Sequence, residues 1–135
     1  MSDILSRPLD PRDCEQRVLT DADGALVTFS GVVRDHHGGR AVAALRYEAH
    51  PEADRFLQAV LARHRAGDIR VAAQHRVGDL AIGEIAVVVA VAAPHRGDAF
   101  AVCERVIDEI KTNVPIWKHE AYADGDRAWV NACQT

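Results

Sequence analysis

The feature that most constrains the fold is the apolar run EIAVVVAVAA at residues 84–93. A strand with one face in water alternates apolar and polar residues, and this run does not alternate. We therefore expect a strand covered on both faces, or covered on one face by the chain and on the other by a partner. The run is far shorter than the roughly 20 residues that a membrane-spanning helix requires.

Strands and helices interleave along the rest of the chain. β-Branched residues, or apolar residues at every second position, predict strands at 24–34, 44–50, 69–78 and 127–133. Apolar residues at helical spacing predict helices at 51–65 and 97–112. The elements lack the regular rhythm of a parallel α/β sheet. They predict an α+β fold with mainly antiparallel strands and two principal helices.

The second helix has the clearest pattern. Its apolar stripe consists of Phe100, Cys103, Val106, Ile107 and Ile110. Pro115 disfavours helical geometry at the residue before it, so we expect the helix to end by about Asn113. The stripe places Cys103 in the core, where a thiol packs as a small apolar group.

The length and composition predict one domain over residues 1–135. The chain is 48% hydrophobic and 27% charged, and no linker or repeat divides it. A net charge of -4 gives no general attraction to nucleic acid or anionic membranes, so an anion site must be a local cluster of cations. Cys14, Cys103 and Cys133 form no CxxC pair, and the N-terminus has no signal-peptide pattern. We expect a soluble, cytoplasmic protein.

Two lysines flank the predicted end of the second helix. Lys111 lies in its last turn, where a cation offsets the helix dipole, and this is a sufficient structural explanation. Lys118 follows Pro115 and Trp117. Either its stem crosses the surface against the indole, or the amine is desolvated, which lowers its pKa and makes it useful as an acid, base or nucleophile. The residues alone favour neither alternative for Lys118.

A basic pair opens the second helix. His95 and Arg96 lie beside the free N–H groups and positive dipole end of a helix, which favour phosphate or carboxylate. The alternative is an ordinary polar turn with Asp98 as the capping residue.

The segment RDHHGGR contains a second basic cluster: Arg34, His36, His37 and Arg40. Its two glycines predict a mobile loop, in which a histidine is more often solvated than functional. The chain has seven histidines, but no HxH, HExxH or Cys/His pairing gives the spacing of a known metal site. We therefore predict no metal.

Five basic residues thus lie at element ends or in loops, where binding sites are usually assembled: Arg34, His95, Arg96, Lys111 and Lys118. In an acidic chain they predict a local anion-binding pocket. The pattern does not identify the anion.

Six strings resemble, in order and spacing, the large catalytic subunit of molybdopterin synthase: GALVTFSGVVRDHHGGR, LRYEAHPE, HRVGDLAIGE, VAAPHRGDAF, IDEIKTNVPIWKHE and GDRAWV. Residues 1–23 add little to this resemblance. It implies an α/β-hammerhead fold and an enzyme of molybdenum cofactor biosynthesis. Such enzymes convert a cyclic pyranopterin monophosphate, precursor Z, into the dithiolene molybdopterin.

The resemblance also implies partners. Sulfur arrives as a thiocarboxylate on the C-terminal Gly-Gly tail of a small ubiquitin-like subunit, and the large subunits form a homodimer within a heterotetramer. No metal or other cofactor is implied for this step. Because the sulfur arrives already activated, the large subunit requires no cysteine nucleophile.

The resemblance assigns roles to individual residues. Lys118 and Lys111 correspond to the active-site lysines, with Lys118 in acid–base chemistry and Lys111 binding the carboxylate or the pterin. Contacts to phosphate and pterin are implied for Arg34, His95 and Arg96. His119 and Glu120 continue the binding segment, and Trp117 shapes the pocket wall. The contacts of residues 35–40 stay open, since this loop varies in the family.

Two rival functions remain. One is a docking module that binds a ubiquitin-like tail without chemistry, although a pure binding module would not need both lysines and the His-Arg pair. The other is a phosphoesterase or sulfur-relay enzyme that acts on a different cyclic phosphate.

Overall fold

The computed structural model describes residues 3–131. The helices are α1 (Pro11–Val18), α2 (Ala53–His64) and α3 (Arg96–Asn113). The strands are β1 (Ile4–Leu5), β2 (Ala25–Val32), β3 (His36–His37), β4 (Arg40–Ala49), β5 (Arg70–Arg76), β6 (Gly78–Leu80), β7 (Ile85–Ala93), β8 (Ile116–Tyr122) and β9 (Arg127–Asn131). Within these residues, none of the helices combines the length and the apolar character needed to cross a membrane.

The strands form two sheets. The first has the order β1-β5-β7-β2, and the second has the order β3-β4-β8-β9 with β6 also paired to β4. Only the β1–β5 pairing is parallel in the described part of the chain. The predicted α+β fold with mainly antiparallel strands is confirmed. Of the strand predicted at 127–133, the last two residues, including Cys133, lie outside the described residues.

Strand β7 is the apolar run that constrains the fold, and it lies between β5 and β2. Val89 and Val91 belong to the larger hydrophobic cluster, which α2 and α3 cover. Val88 and Ala90 belong to a smaller cluster, which contains Cys14 of α1. The chain itself therefore covers both faces of this strand, because successive side chains point to opposite faces.

Helix α1 was not predicted. Its signal is the dipeptide Asp10-Pro11: the Asp10 carboxylate accepts a hydrogen bond from the Arg12 backbone N–H, and Pro11 occupies the first helical turn. Both are typical of a helix start. The helix is only eight residues long and buries just Cys14 and Val18, so it offers too few apolar positions to be recognised as a repeating pattern.

Helix α3 buries Ala99, Val102, Cys103, Val106 and Ile110. The prediction that Phe100 belongs to this stripe is wrong, because Phe100 lies at the stripe's edge and is 62% exposed. The predicted end of the helix is confirmed, since Val114 has extended dihedral angles and its N–H bonds to the carbonyl of Ile110.

The segment predicted as a loop at 34–40 contains one side of a β-hairpin. His36 pairs with Ala41 and His37 pairs with Arg40. Gly38 and Gly39 form the turn with φ values of 59° and 78°. Positive φ at both central residues is the geometry of a tight two-residue hairpin turn, which glycine adopts readily. This hairpin brings His37 to the second sheet.

Candidate active site

A cavity of about 360 Å³ lies where the two sheets meet α3. Its apolar walls include Phe29, Leu45, Val89, Ile110 and Ile116. The charged or titratable residues that line it are Arg34, His36, His37, Tyr47, His75, Lys111, Lys118 and Glu120. Apolar walls with a few converging polar groups are typical of a small-molecule site.

Both lysines of the chain line this cavity. The sequence contains no lysine other than Lys111 and Lys118, and all its remaining basic residues apart from histidine are arginines. Lys111 lies in the last turn of α3. The chain then turns at Pro115 and enters β8, which brings Lys118 to the same cavity.

Lys118 is buried, with 6% of its surface exposed. Its neighbour Trp117 is 40% exposed and lies on the other face of β8. The indole therefore does not pack against the Lys118 stem, because adjacent residues of a strand point to opposite faces. Of the two alternatives for Lys118, the structure supports the desolvated amine.

Burial lowers the pKa of the Lys118 ammonium. The Glu120 carboxylate, whose Oε1 lies 3.5 Å from the Lys118 Nζ, opposes this change and raises the pKa. The charges of Arg34 and Lys111 lower it further. An amine in such surroundings gives up its proton more readily than a lysine in water.

Glu120 contacts two basic side chains and is 1% exposed. Its Oε1 lies 2.5 Å from Nδ1 of His37, in addition to its contact with Lys118. Glu120 and Lys118 share a face of β8 because they are two residues apart. That spacing is visible in the sequence, whereas the contact with His37 spans 83 positions and has no local signal.

Arg34 and Lys111 have no ion-pair partner within residues 3–131. The acidic residues Glu104 and Asp108, which helical spacing places near Lys111, do not pair with it. The cavity thus combines three cationic side chains with one carboxylate, although the whole chain is acidic. Such a cavity attracts anions.

Three of the predicted site residues lie elsewhere. His95 and Arg96 are exposed at the start of α3, and Arg96 lies about 22 Å along the helix axis from Lys111 at 1.5 Å per residue. His119 lies on the outer face of β8, where its ring contacts Trp129 at a centroid distance of 4.8 Å. The structure therefore brings together Arg34, Lys111, Lys118 and Glu120, but not these three.

Sequence reasoning did not identify Tyr47 and His75, which also line the cavity. Their rings meet edge to face at a centroid distance of 5.0 Å. Burial, with a smaller effect from the Glu120 charge, raises the pKa of Tyr47 to about 12. Burial also lowers the pKa of His75 to about 4, against the effect of a hydrogen bond to the Arg76 carbonyl. Both residues are uncharged at neutral pH.

No metal-binding group of three or more His, Cys, Asp or Glu side chains is present within residues 3–131.

The family model described as MoaE protein matches residues 4–113. The chain belongs to the MoaE family. The molybdopterin synthase catalytic subunit of Nostoc sp. is 40% identical over 137 residues, which cover 97% of this chain and 83% of that relative. The family predicted from the sequence motifs is confirmed.

Solved structures share the MoaE fold. A crystal structure of molybdopterin synthase from Staphylococcus aureus superimposes with a TM-score of 0.89 at 34% identity, and the match covers 96% of both chains. A complex of subunits 1 and 2 of molybdopterin-converting factor from Helicobacter pylori gives a TM-score of 0.76 at 20% identity, covering 94% of this chain and 88% of that chain. The second likeness shows the fold alone.

We expect the buried His75 to make this MoaE chain less stable in acid. Its pKa of about 4 lies below the value near 6.5 of an unfolded histidine, so the unfolded chain binds the proton more readily. The stabilisation is therefore complete above pH 6.5 and is lost as the pH falls towards 4. Between pH 7 and pH 5 the loss is about 2 kcal/mol.

Urea unfolding at the two pH values tests this expectation, with His75→Gln as the comparison. The variant lacks the titrating group, so its free energy of unfolding should fall by about 2 kcal/mol less than that of the wild type over the same interval. Equal losses in both proteins would contradict the assignment to His75.

Proposed function

We propose that this chain is the catalytic subunit of a molybdopterin synthase, acting as a sulfurtransferase that converts precursor Z into molybdopterin. Membership of the MoaE family and the similarity to relatives of that name support the proposal. The observation that carries it is the convergence of both lysines with Arg34 in one cavity of about 360 Å³. We also propose that residues 1–135 form a single domain.

The charges of the cavity suit the proposed reactants. Precursor Z carries a cyclic phosphate, and the sulfur donor is a thiocarboxylate that becomes a carboxylate after transfer. All of these groups are anions, and cations held in a desolvated site stabilise them more strongly than water does. Arg34 and Lys111 have no ion-pair partner among residues 3–131, so both are available to bind them.

Lys118 is the residue to which we assign proton transfer. Opening the cyclic phosphate and transferring sulfur both change the protonation of oxygen or sulfur atoms. An arginine stays protonated and cannot serve, whereas the buried Lys118 has a lowered pKa. A group whose pKa lies nearer the working pH is the more effective acid–base catalyst.

We further propose that a small ubiquitin-like subunit inserts its C-terminal Gly-Gly tail into this cavity. Family membership supports the partner, and the Helicobacter pylori protein of the same fold was solved as a complex of two subunits. Glycine has no side chain, so a Gly-Gly tail requires only a narrow passage between apolar walls.

The proposed phosphate contacts of His95 and Arg96 require a second copy of the chain. At about 22 Å along α3 from Lys111, they cannot reach the cavity of their own chain. A homodimer, which the family resemblance implies, supplies such a copy. His119 faces away from the cavity, so its predicted contact with substrate has no support from this geometry.

A single-turnover assay tests the proposed function. Wild-type protein is mixed with precursor Z and a carrier bearing the C-terminal thiocarboxylate, and the dithiolene product is measured. The matched control is the same carrier ending in a carboxylate, which should give no product. Carrier binding without product would support the docking module instead. Opening of the cyclic phosphate without any carrier would support the phosphoesterase.

A further inference from the structure

One oxygen atom of Glu120 contacts two basic side chains. Its Oε1 lies 2.5 Å from Nδ1 of His37 and 3.5 Å from Nζ of Lys118. The first contact is within hydrogen-bonding distance, and the second lies at the outer limit of that distance. His37 is therefore the nearer partner of the carboxylate on which Lys118 depends for its counter-charge.

The hairpin that carries His37 is anchored beside the cavity. Arg40, which pairs with His37 in the hairpin register, lies 2.7 Å from a carboxylate oxygen of Asp124 and 3.0 Å from one of Asp126. Its guanidinium also lies over the Tyr122 ring, 3.9 Å from the centroid. One strand of the hairpin is thus fixed to the second sheet, while the other directs His37 to Glu120.

We propose that His37 is a positioning residue for Lys118: it holds the Glu120 carboxylate, and the carboxylate in turn holds the Lys118 amine in the cavity. This role rests on the function proposed above. It does not follow from the sequence motifs, which leave the contacts of residues 35–40 open.

The geometry determines what His37 does to Lys118. A donor at 2.5 Å takes the larger share of the oxygen's negative charge, so the carboxylate stabilises the Lys118 ammonium less than an unshared carboxylate would. Without His37, Glu120 is free to form a closer ion pair with Lys118. The amine would then give up its proton less readily, and proton transfer would be slower.

The sequence makes this effect measurable, because Lys118 and Lys111 are the two lysines of the chain. Protein labelled with ¹³C-lysine gives two Cε signals, which Lys111→Arg assigns. The pH titration of the Lys118 signal is compared in the wild type, His37→Ala, His37→Asn and Glu120→Gln. The other titratable or charged groups that line the cavity with Lys118 are Arg34, His36, Tyr47, His75 and Lys111, and they are unchanged in these variants.

The substitutions His37→Ala and Glu120→Gln should change the pKa of Lys118 in opposite directions. His37→Ala raises the pKa of Lys118, because the carboxylate turns to the amine. Glu120→Gln lowers it, because the amine loses its counter-charge. His37→Asn keeps an N–H donor near the position of Nδ1 and should restore a wild-type titration in part. If the substitutions only loosened the cavity, the pKa of Lys118 would instead rise in both variants, since water would stabilise the ammonium.

The activity readout is the single-turnover rate at saturating precursor Z. His37→Ala should lower this rate about tenfold and leave the apparent affinity for precursor Z within twofold of the wild type, because His37 acts on the chemical step. Glu48→Gln is the matched control: it alters an exposed carboxylate that pairs with Arg46 on β4, the other strand of the hairpin, and does not line the cavity, so it should leave both quantities unchanged.

Two results would overturn the proposal. One is a Lys118 titration that is unchanged in His37→Ala. The other is a shift of the Lys118 pKa in the same direction in His37→Ala and Glu120→Gln. The titration requires no substrate, so it decides the role of His37 even if the wild type forms no dithiolene. The absence of dithiolene product in the wild type would reject only the proposed synthase function.

Discussion

Lys118→Ala should lower the single-turnover rate of molybdopterin formation by about 100-fold or more, the usual range for the loss of an acid–base catalyst. The amine lies in the cavity with a pKa that burial lowers, and the other lysine of the sequence, Lys111, is assigned to anion binding. The fold should persist, because Glu120 keeps its hydrogen bond with His37 when the amine is removed. Thermal unfolding tests whether the fold persists in the variant, and a carrier-binding assay tests whether the variant still binds the partner.

Lys118→Arg separates proton transfer from charge. The guanidinium keeps the positive charge but does not deprotonate, so this variant should be nearly as slow as Lys118→Ala. A wild-type rate in Lys118→Arg would show that the charge alone suffices. A wild-type rate in Lys118→Ala would remove the residue from the mechanism altogether.

Lys111→Ala should weaken the binding of precursor Z about tenfold to 100-fold. Its ammonium has no ion-pair partner within residues 3–131, so the charge is available to a bound anion. A hydrogen bond to a charged group contributes about 1.5–3 kcal/mol, which corresponds to that change in affinity. Calorimetric titration of the variant with precursor Z measures the dissociation constant directly.

Lys111→Arg is the control for this prediction. It retains a cation at the same position and should restore most of the affinity, whereas Lys111→Gln should not. The loss in Lys111→Ala should also shrink at high salt, since screening weakens the charge interaction that the wild type makes. Affinity for precursor Z that is equal in the wild type and Lys111→Ala would contradict a binding role.

The buried part of the fold could be predicted from the sequence because burial leaves a pattern. The unbroken apolar run of β7 predicts cover on both faces, and α1 and α3 provide it. Strand β8 was not predicted, because its buried positions do not show the usual apolar pattern. Its inward positions hold Lys118 and Glu120 where an ordinary strand holds apolar residues, so the alternation that marks a half-buried strand is inverted.

The site could be predicted only in part. Lys111, Lys118 and Arg34 follow from the motifs, and the structure places them around one cavity. The hydrogen bond between His37 and Glu120 joins residues 83 positions apart, and it depends on a hairpin turn at two glycines. No local sequence pattern therefore predicts it. His95 shows the converse: a favourable helix start is visible in the sequence, but its distance from the cavity is not.

The measurement that tests the central claim most directly compares two titrations of the wild-type protein. One is the pH dependence of the single-turnover rate, and the other is the Lys118 amine followed by ¹³C NMR in the same buffer. If Lys118 transfers the proton, both midpoints should coincide and lie below the ordinary lysine value of 10.5. A rate that does not follow the Lys118 titration, or an amine that titrates like a free lysine, would contradict the account.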